Sequence, residues 1–205
     1  MMVELITKYN RHNYESQLEQ MFRLRYKIFV EQLGWDLPHA KDGLEIDEFD
    51  TEDTIYLIAG DSTGNVQGSK RLNPTMKPHL MSEVFPHLIS GDVPRGPHIW
   101  ESSRSCIHPD CRDTGIIGEL FLAMVEAGLL LTIEKITFVC NMKFYPTILH
   151  AGWGIVPLGI PQTDKNGEDH IAASLTINSV SLQNMRRNYH VCQTILNSFP
   201  LMKVA

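Results

Sequence analysis

The chain is predicted to fold as one α/β domain over residues 1–205, with a mixed sheet sandwiched between helices in an α-β-α arrangement. Three observations predict this. Ile99–Ile107 reads as a strand, and a Gly-containing turn, a long helical stretch and a second apolar strand at residues 136–140 follow it. Such a strand–helix–strand unit pairs its two strands in parallel through a right-handed crossover. Residues 54–59 and 66–72 are strand-like and flank Asp61-Ser62-Thr63-Gly64-Asn65, which has the composition of a hairpin turn. Residues 14–31 carry Leu18, Phe22, Arg25 and Phe29 at spacings of 4, 3 and 4, the stripe of an amphipathic helix. A length of 205 residues suits one domain with a sizeable core, and no repeat, low-complexity tract or linker divides it.

Composition narrows the function. Apolar content is 43% and charged content 20%, ordinary for a globular protein. The formal net charge of −6 lacks the electrostatic footprint of a general nucleic-acid binder. No apolar run is long enough to cross a bilayer, so membrane insertion is not expected, and residues 1–20 hold no apolar signal core. The four cysteines (Cys106, Cys111, Cys140, Cys192) form no CxxC pair, and no Cys/His set has zinc spacing. They read as reduced thiols of a cytoplasmic protein that binds no metal. His39, His79 and His87 lie near Pro-containing loops and read as surface residues.

Taken in order, the first helix poses a problem at Arg25, which falls on the stripe that should be buried. An arginine cannot shed its charge, so it must snorkel out or meet carboxylates, and for a lone arginine snorkelling is the ordinary outcome. Gly34-Trp35-Asp36-Leu37-Pro38 opens a loop that runs to about Thr54 and contains Glu45-Ile46-Asp47-Glu48-Phe49-Asp50-Thr51-Glu52-Asp53. Loops of this length are functional or disordered, and Trp35 and Phe49 argue against disorder. The acidic run reads either as a solvated, self-repelling loop or as carboxylates gathered around a cation. After the hairpin, Arg71 ends the second strand. Residues 81–88 read as a short helix with Phe85 on its apolar side.

The strand Ile99–Ile107 is central, so both faces should be covered. Alternation puts Glu101, Ser103 and Ser105 on one face and Trp100, Ser102, Arg104 and Cys106 on the other. Taken alone, Glu101 and Arg104 suggest structural pairing. A helix over residues 115–134 follows, capped by Asp113 or Thr114, and its N-terminus at Arg112-x-x-Gly115 is a natural anion site. Further on come a helix at 143–150 stopped by Gly152, strands at 154–158 and 174–178, and a C-terminal helix at 179–197 with Met185, Tyr189, Cys192 and Leu196 on one face.

The stretches Arg25-Tyr-Lys-Ile-Phe29, Trp35, Asp47-Glu-Phe-Asp50, Gly68-Ser-Lys-Arg71-Leu-Asn-Pro, Ser82-Glu-Val-Phe85-Pro and Glu101-Ser-Ser103-Arg104 together resemble the signature of the acyl-homoserine-lactone synthases, the autoinducer synthases of bacterial quorum sensing. Order and spacing both match over the N-terminal half, and the C-terminal half is similar in pattern only. The resemblance implies a fold like that of the N-acetyltransferases. It implies two substrates, S-adenosylmethionine and an acyl thioester carried by CoA or acyl carrier protein, and no prosthetic group. The amine attacks the thioester, and the carboxylate then displaces 5′-methylthioadenosine to close the lactone.

That chemistry needs a base, for which Glu101 is the candidate, directly or through a water. It also needs a cation for the carboxylate, from Arg25, Arg71 or Arg104. Asp47 and Asp50 suit the sulfonium and ammonium, and Trp35 and Phe29 suit the adenine. The same Arg25, Asp47, Asp50 and Arg104 would serve equally as scaffold for the loop. Phe85 and Ser103 join the substrate-binding set, Arg112 and Gly115 the acyl-donor loop, and the C-terminal half the acyl-chain pocket. An acidic chain steers an acidic carrier protein poorly, and residues 77–88 resemble the branch that uses acyl-CoA, so acyl-CoA is the expected donor. Two alternatives remain: an N-acyltransferase that makes no lactone, and a sensor that binds adenosylmethionine or acyl chains without turnover.

Overall fold

The hairpin expected between residues 54 and 72 is present in the computed structural model, which describes residues 2–197. Its strands are β2 (Ile55–Gly60) and β3 (Val66–Pro74), antiparallel, with a bulge between Ala59 and Gly60. The Asp61 carboxylate closes the turn by accepting the amides of Thr63 and Asn65. A strand with no sequence signal, β1 (Val3–Ile6), pairs antiparallel with β2.

The predicted helix over residues 14–31 is two structures: α1 (Glu15–Arg25) and a π-helical turn at Tyr26–Gln32. The wider turn shows in the Leu33 amide, which donates to the carbonyl five residues back, Ile28. Leu18, Met21, Leu24, Ile28 and Phe29 from these turns pack with Ile6, Tyr56, Ile58, Val66 and Cys106 into one apolar cluster.

Pro86 splits the predicted helix at 81–88 into α2 (Leu80–Glu83) and a 3-10 turn at Pro86–Leu88. The strand β4 (Ile99–Ile107) has the expected bounds, and β5 (Lys135–Asn141) pairs parallel with it from Ile99↔Lys135 to Ser102↔Phe138. Between them runs α3 (Ile116–Leu130), whose Ile116, Leu120, Phe121, Leu122, Met124 and Val125 are all buried, the mark of a core helix. Gly68 is where α3 meets the hairpin. A Cβ there would come within 2.9 Å of Ile116 Cγ2 and 3.2 Å of the Cys106 carbonyl oxygen.

The remaining elements are α4 (Tyr145–Leu149), β6 (Ile155–Pro157), β7 (Gln162–Thr163), β8 (Asp169–Thr176), α5 (Ser179–Asn188) and β9 (Leu196–Asn197). The C-terminal helix is thus shorter than predicted. It stops at Asn188, and Tyr189 caps it by donating its amide to the Met185 and Arg187 carbonyls. Cys192 is exposed, not on a helix face, and Leu196 lies in β9, parallel to β1. The strand predicted at 174–178 begins five residues earlier, at Asp169.

The described residues form two compact units. One comprises the described parts of Met1–Leu72, Arg104–Ala123 and Ile195–Ala205, the other Asn73–Ser103 and Met124–Thr194. In the first, strand neighbours run β9-β1-β2-β3 and on to the Arg104–Ile107 half of β4. In the second, they run from the Ile99–Ser103 half of β4 through β5 and β8 to β6, with β7 also on β8. The second unit holds its own apolar cluster, in which Met81, Leu88 and Ala172 are packed against by Phe85, Ile89, Val93, Val139 and Leu158. No helix among the described residues is long and apolar enough to cross a membrane.

Candidate active site

Arg25 does not snorkel. It closes α1 with its side chain fully buried, and three carboxylates and three guanidiniums of the first unit surround one another there. Arg25 Nε donates to Glu45 Oε2 at 2.5 Å, and its two Nη atoms donate to both oxygens of Asp50 at 2.8 Å each. Arg71 Nη1 pairs with Asp47 Oδ1, and with Asp50 Oδ2 at 3.0 Å. Arg104 Nε reaches Glu45 Oε1 at 3.0 Å, and its Nη2 reaches Asp47 Oδ2 at 2.7 Å. The Tyr56 hydroxyl donates to Asp50 Oδ1 at 2.9 Å. The acidic loop is therefore no solvated run. Its alternate members Glu45, Asp47 and Phe49 turn inward, while Ile46 and Glu48 stay exposed.

Charge balance explains how such a cluster persists. Buried charges are tolerated when each is paired and hydrogen-bonded. Arg25, Arg71 and Arg104 offset Glu45, Asp47 and Asp50 one for one. Burial pushes the Asp50 carboxyl up, but the Arg25 and Arg71 charges outweigh it and hold the group well below the usual carboxylate range. Burial opposes the charge on Arg25 as well, and Asp50 and Glu45 override it and raise its pKa. Burial and the Asp50 charge together push the Tyr56 phenol well above its ordinary value.

Backbone geometry marks the same place. Arg104 lies inside β4 with φ of +49°, a left-handed conformation that non-glycine residues rarely adopt within a strand. Its guanidinium carbon stands 5.6 Å from the Phe29 ring centroid and 6.0 Å from that of Trp35. Those two rings stack on each other, with centroids 4.8 Å apart and planes 13° apart. The π-helical turn brings this about by carrying Phe29 inward and placing the Trp35 amide on the Phe29 carbonyl. Phe29 is buried, while Trp35 remains 42% exposed.

Glu101 lies in the second unit, buried on β4. Its two carboxylate oxygens accept consecutive backbone amides at the start of α2, Leu80 N–H on Oε2 at 3.0 Å and Met81 N–H on Oε1 at 2.6 Å. The neighbouring Ser102 is buried too, so both faces of the strand are covered there, as expected of a central strand. Ser103 is half-buried. Phe85 packs on the Met81–Leu88–Ala172 cluster.

The remaining candidates are less enclosed. Arg112 is exposed and donates to Gln32 Oε1 at 2.8 Å. Gly115, with φ of +86°, sits in open space immediately before α3. Glu45 and Asp47 also come within 4.8 Å of His39, but both carboxylates are already taken by guanidiniums, which suits ion pairing better than a cation site. A surface groove of about 700 Å³ bordered by Lys8, Arg11, Glu15 and Phe22 contains none of the signature residues.

Two residues of these clusters escaped the sequence reading. Glu45 bridges Arg25 and Arg104, and the parity of charges could have pointed to it: three arginines in signature positions need a third carboxylate besides Asp47 and Asp50. His79, read as a surface residue, is fully buried at the head of α2, and no composition signal marks it.

Known proteins resemble this chain in sequence and in fold. The chain is 42% identical over 166 residues to the isovaleryl-homoserine lactone synthase of Bradyrhizobium diazoefficiens, an alignment covering 80% of this chain and 75% of that one. It superposes with a TM-score of 0.90 on a CoA-dependent acyl-homoserine lactone synthase, BjaI, solved with SAM and isopentyl-CoA, at 37% identity over 96% of this chain and 92% of that one. An acyl-CoA N-acyltransferase from Pseudomonas aeruginosa superposes with a TM-score of 0.58 over 84% of this chain and 97% of that one; at 14% identity this likeness establishes the fold alone. The profile of the autoinducer synthase family matches residues 9–185, and the chain belongs to that family.

Proposed function

We propose that this protein makes an N-acyl-homoserine lactone, with S-adenosylmethionine as acceptor and acyl-CoA as donor. The observation that carries this reading is the buried Glu101 carboxylate, oriented by two amides beside an apolar cluster, in a chain that aligns along 96% of its length with a CoA-dependent synthase. A carboxylate presents about four acceptor positions, so one that accepts backbone amides can also act as a base. Glu101 accepts the proton of the methionyl ammonium, directly or through one water, and the amine attacks the thioester carbonyl. The N–C bond forms, the C–S bond breaks, and CoA leaves as its thiol. The methionyl carboxylate then attacks the carbon bonded to the sulfonium, which closes the lactone and releases 5′-methylthioadenosine.

The other residues divide by burial. Arg25, Asp50 and Arg71 fix the loop over residues 34–54 through ion pairs. Arg104, held against Phe29 and Trp35, orients the methionyl carboxylate, and the exposed face of Trp35 receives the adenine. The apolar cluster around Met81, Phe85, Val139 and Leu158 receives the acyl chain. Arg112 and the amides near Gly115 hold the phosphates of CoA.

Steady-state release of methylthioadenosine tests the assignment. Glu101→Gln is expected to lower kcat by about 10²–10⁴-fold while the protein still binds adenosylmethionine. Near-normal turnover would remove Glu101 from the mechanism. Offering one acyl group on CoA and on carrier protein and comparing kcat/KM tests the donor, and a strong preference for the carrier protein would overturn that part.

A further inference from the structure

His79 is a fully buried histidine that the reaction described above does not use. It is the residue before α2, and its backbone amide donates to Ser82 Oγ at 3.1 Å, while the single Ser82 hydroxyl proton is shared between Glu83 Oε1 at 2.8 Å and the His79 carbonyl at 3.0 Å. The next two amides along the chain, Leu80 and Met81, are the pair that hold Glu101. The ring itself makes a second tie. Its Nδ1 lies 2.9 Å from the Lys77 carbonyl oxygen and 3.2 Å from Ser82 Oγ, and since a carbonyl only accepts, Nδ1 carries the proton, with the carbonyl as its shorter partner. Burial pushes the imidazole pKa down, so the ring is neutral and this is its one N–H. Nε2 is then a bare acceptor, and among the described residues it has no hydrogen-bond partner. A buried acceptor left without a donor destabilises the folded chain. The polar contacts that the ring makes among the described residues all run through Nδ1.

We propose that His79 is a positioning residue for Glu101: through the Nδ1–H bond to Lys77 it fixes the turn that aims the Leu80 and Met81 amides at the Glu101 carboxylate. The proposal rests on Glu101 acting as the base. Its signature is a dependence on a donor at the δ position, since the ε position contributes nothing to the turn.

Two substitutions separate these positions. His79→Asn keeps an N–H donor at the δ position and suits the residue before a helix, whereas His79→Gln moves the donor one atom outward. Release of methylthioadenosine is measured with adenosylmethionine and the acyl-CoA that the wild-type enzyme turns over fastest in a chain-length panel. His79→Asn is expected to keep kcat within about threefold. His79→Gln should lower it by about ten- to a hundredfold, the scale of a small misplacement of a catalytic group, and should move the KM for adenosylmethionine less than about twofold. In the background of Glu101→Gln, His79→Gln should cause no further loss, because a residue that acts through another has nothing left to act on.

Equal turnover by the two variants, loss in both, or a multiplicative loss in the double variant would each overturn the proposal. Should His79→Gln fail to fold, as judged by circular dichroism, His79→Ala, which removes the donor, takes its place: turnover lowered relative to an active His79→Asn supports the tether, and turnover equal to that of His79→Asn overturns it. Full activity in Glu101→Gln would instead sink the base assignment itself, so the two failures are distinguishable.

Discussion

Arg25 was the ambiguous residue of the sequence, a charge on an apolar stripe with two readings open. The structure selects the reading in which it meets carboxylates, here Glu45 and Asp50, and it does so at full burial of both Arg25 and Glu45. Removing one side of such a pair strands the other, at about 3–5 kcal/mol, so Arg25→Ala is expected to lower the melting temperature steeply. Thermal melting followed by circular dichroism checks this, and an unchanged melt with reduced turnover would make Arg25 a ligand contact. Trp35 belongs to the opposite case, since it is 42% exposed and one face is covered by Phe29. Trp35→Ala should weaken adenosylmethionine binding by about 1 kcal/mol, a typical aromatic contribution, and leave the acyl donor's KM nearly unchanged. Titration calorimetry measures the first, and an effect confined to the acyl donor would reverse the pocket assignment. Apart from Ser103, the candidate site residues of the signature were legible because each is an ionisable or aromatic group where a plain core would not carry one. Glu45 was hidden within a run of like residues, and His79 was hidden because a single histidine beside a proline signals nothing about burial.

Whole elements were readable where breakers framed them. Gly96-Pro97 and Pro109 bracket β4, and its bounds came out as expected. The stretch from 179 to 197 holds neither Gly nor Pro, so nothing in it announced the end of α5 at Asn188 or the left-handed His190 two residues on. β1 is four residues long, too short for alternation to register. The π-helical turn left no mark in the periodicity, since one residue's worth of extra winding preserves the apolar stripe closely enough to look like a continuous helix. The contact between α3 and the hairpin gives a test at this scale. Gly68→Ala puts a methyl group against Ile116 and the Cys106 carbonyl, and overpacking of this kind destabilises by roughly 1–3 kcal/mol. Denaturant unfolding should show a lower midpoint at an unchanged slope, and an unshifted midpoint would mean that α3 has room to move.

For the molecule as a whole, the arginine–carboxylate cluster sets the acid limit of stability. Asp50 titrates well below its unfolded value of about 3.9. Its contribution is therefore complete above about pH 4 and is lost as pH falls below that. Tyr56 acts at the other end. Its pKa is raised in the fold, so the unfolded chain ionises first, and stability declines as pH rises past about 10. Melting temperatures across this range should trace a plateau with shoulders near these two values, and a melt unchanged at pH 3 would contradict the acid limb. The cluster has a further consequence, for the order of folding events. Its members come from α1, the loop, β3 and β4, with Glu45 and Arg104 separated by 59 positions. Half-assembled, it would bury unmatched charges, so it gains stability only when loop, helix and both strands have arrived. It belongs to the native side of the folding barrier, and weakening it should appear as faster unfolding with the refolding rate almost untouched.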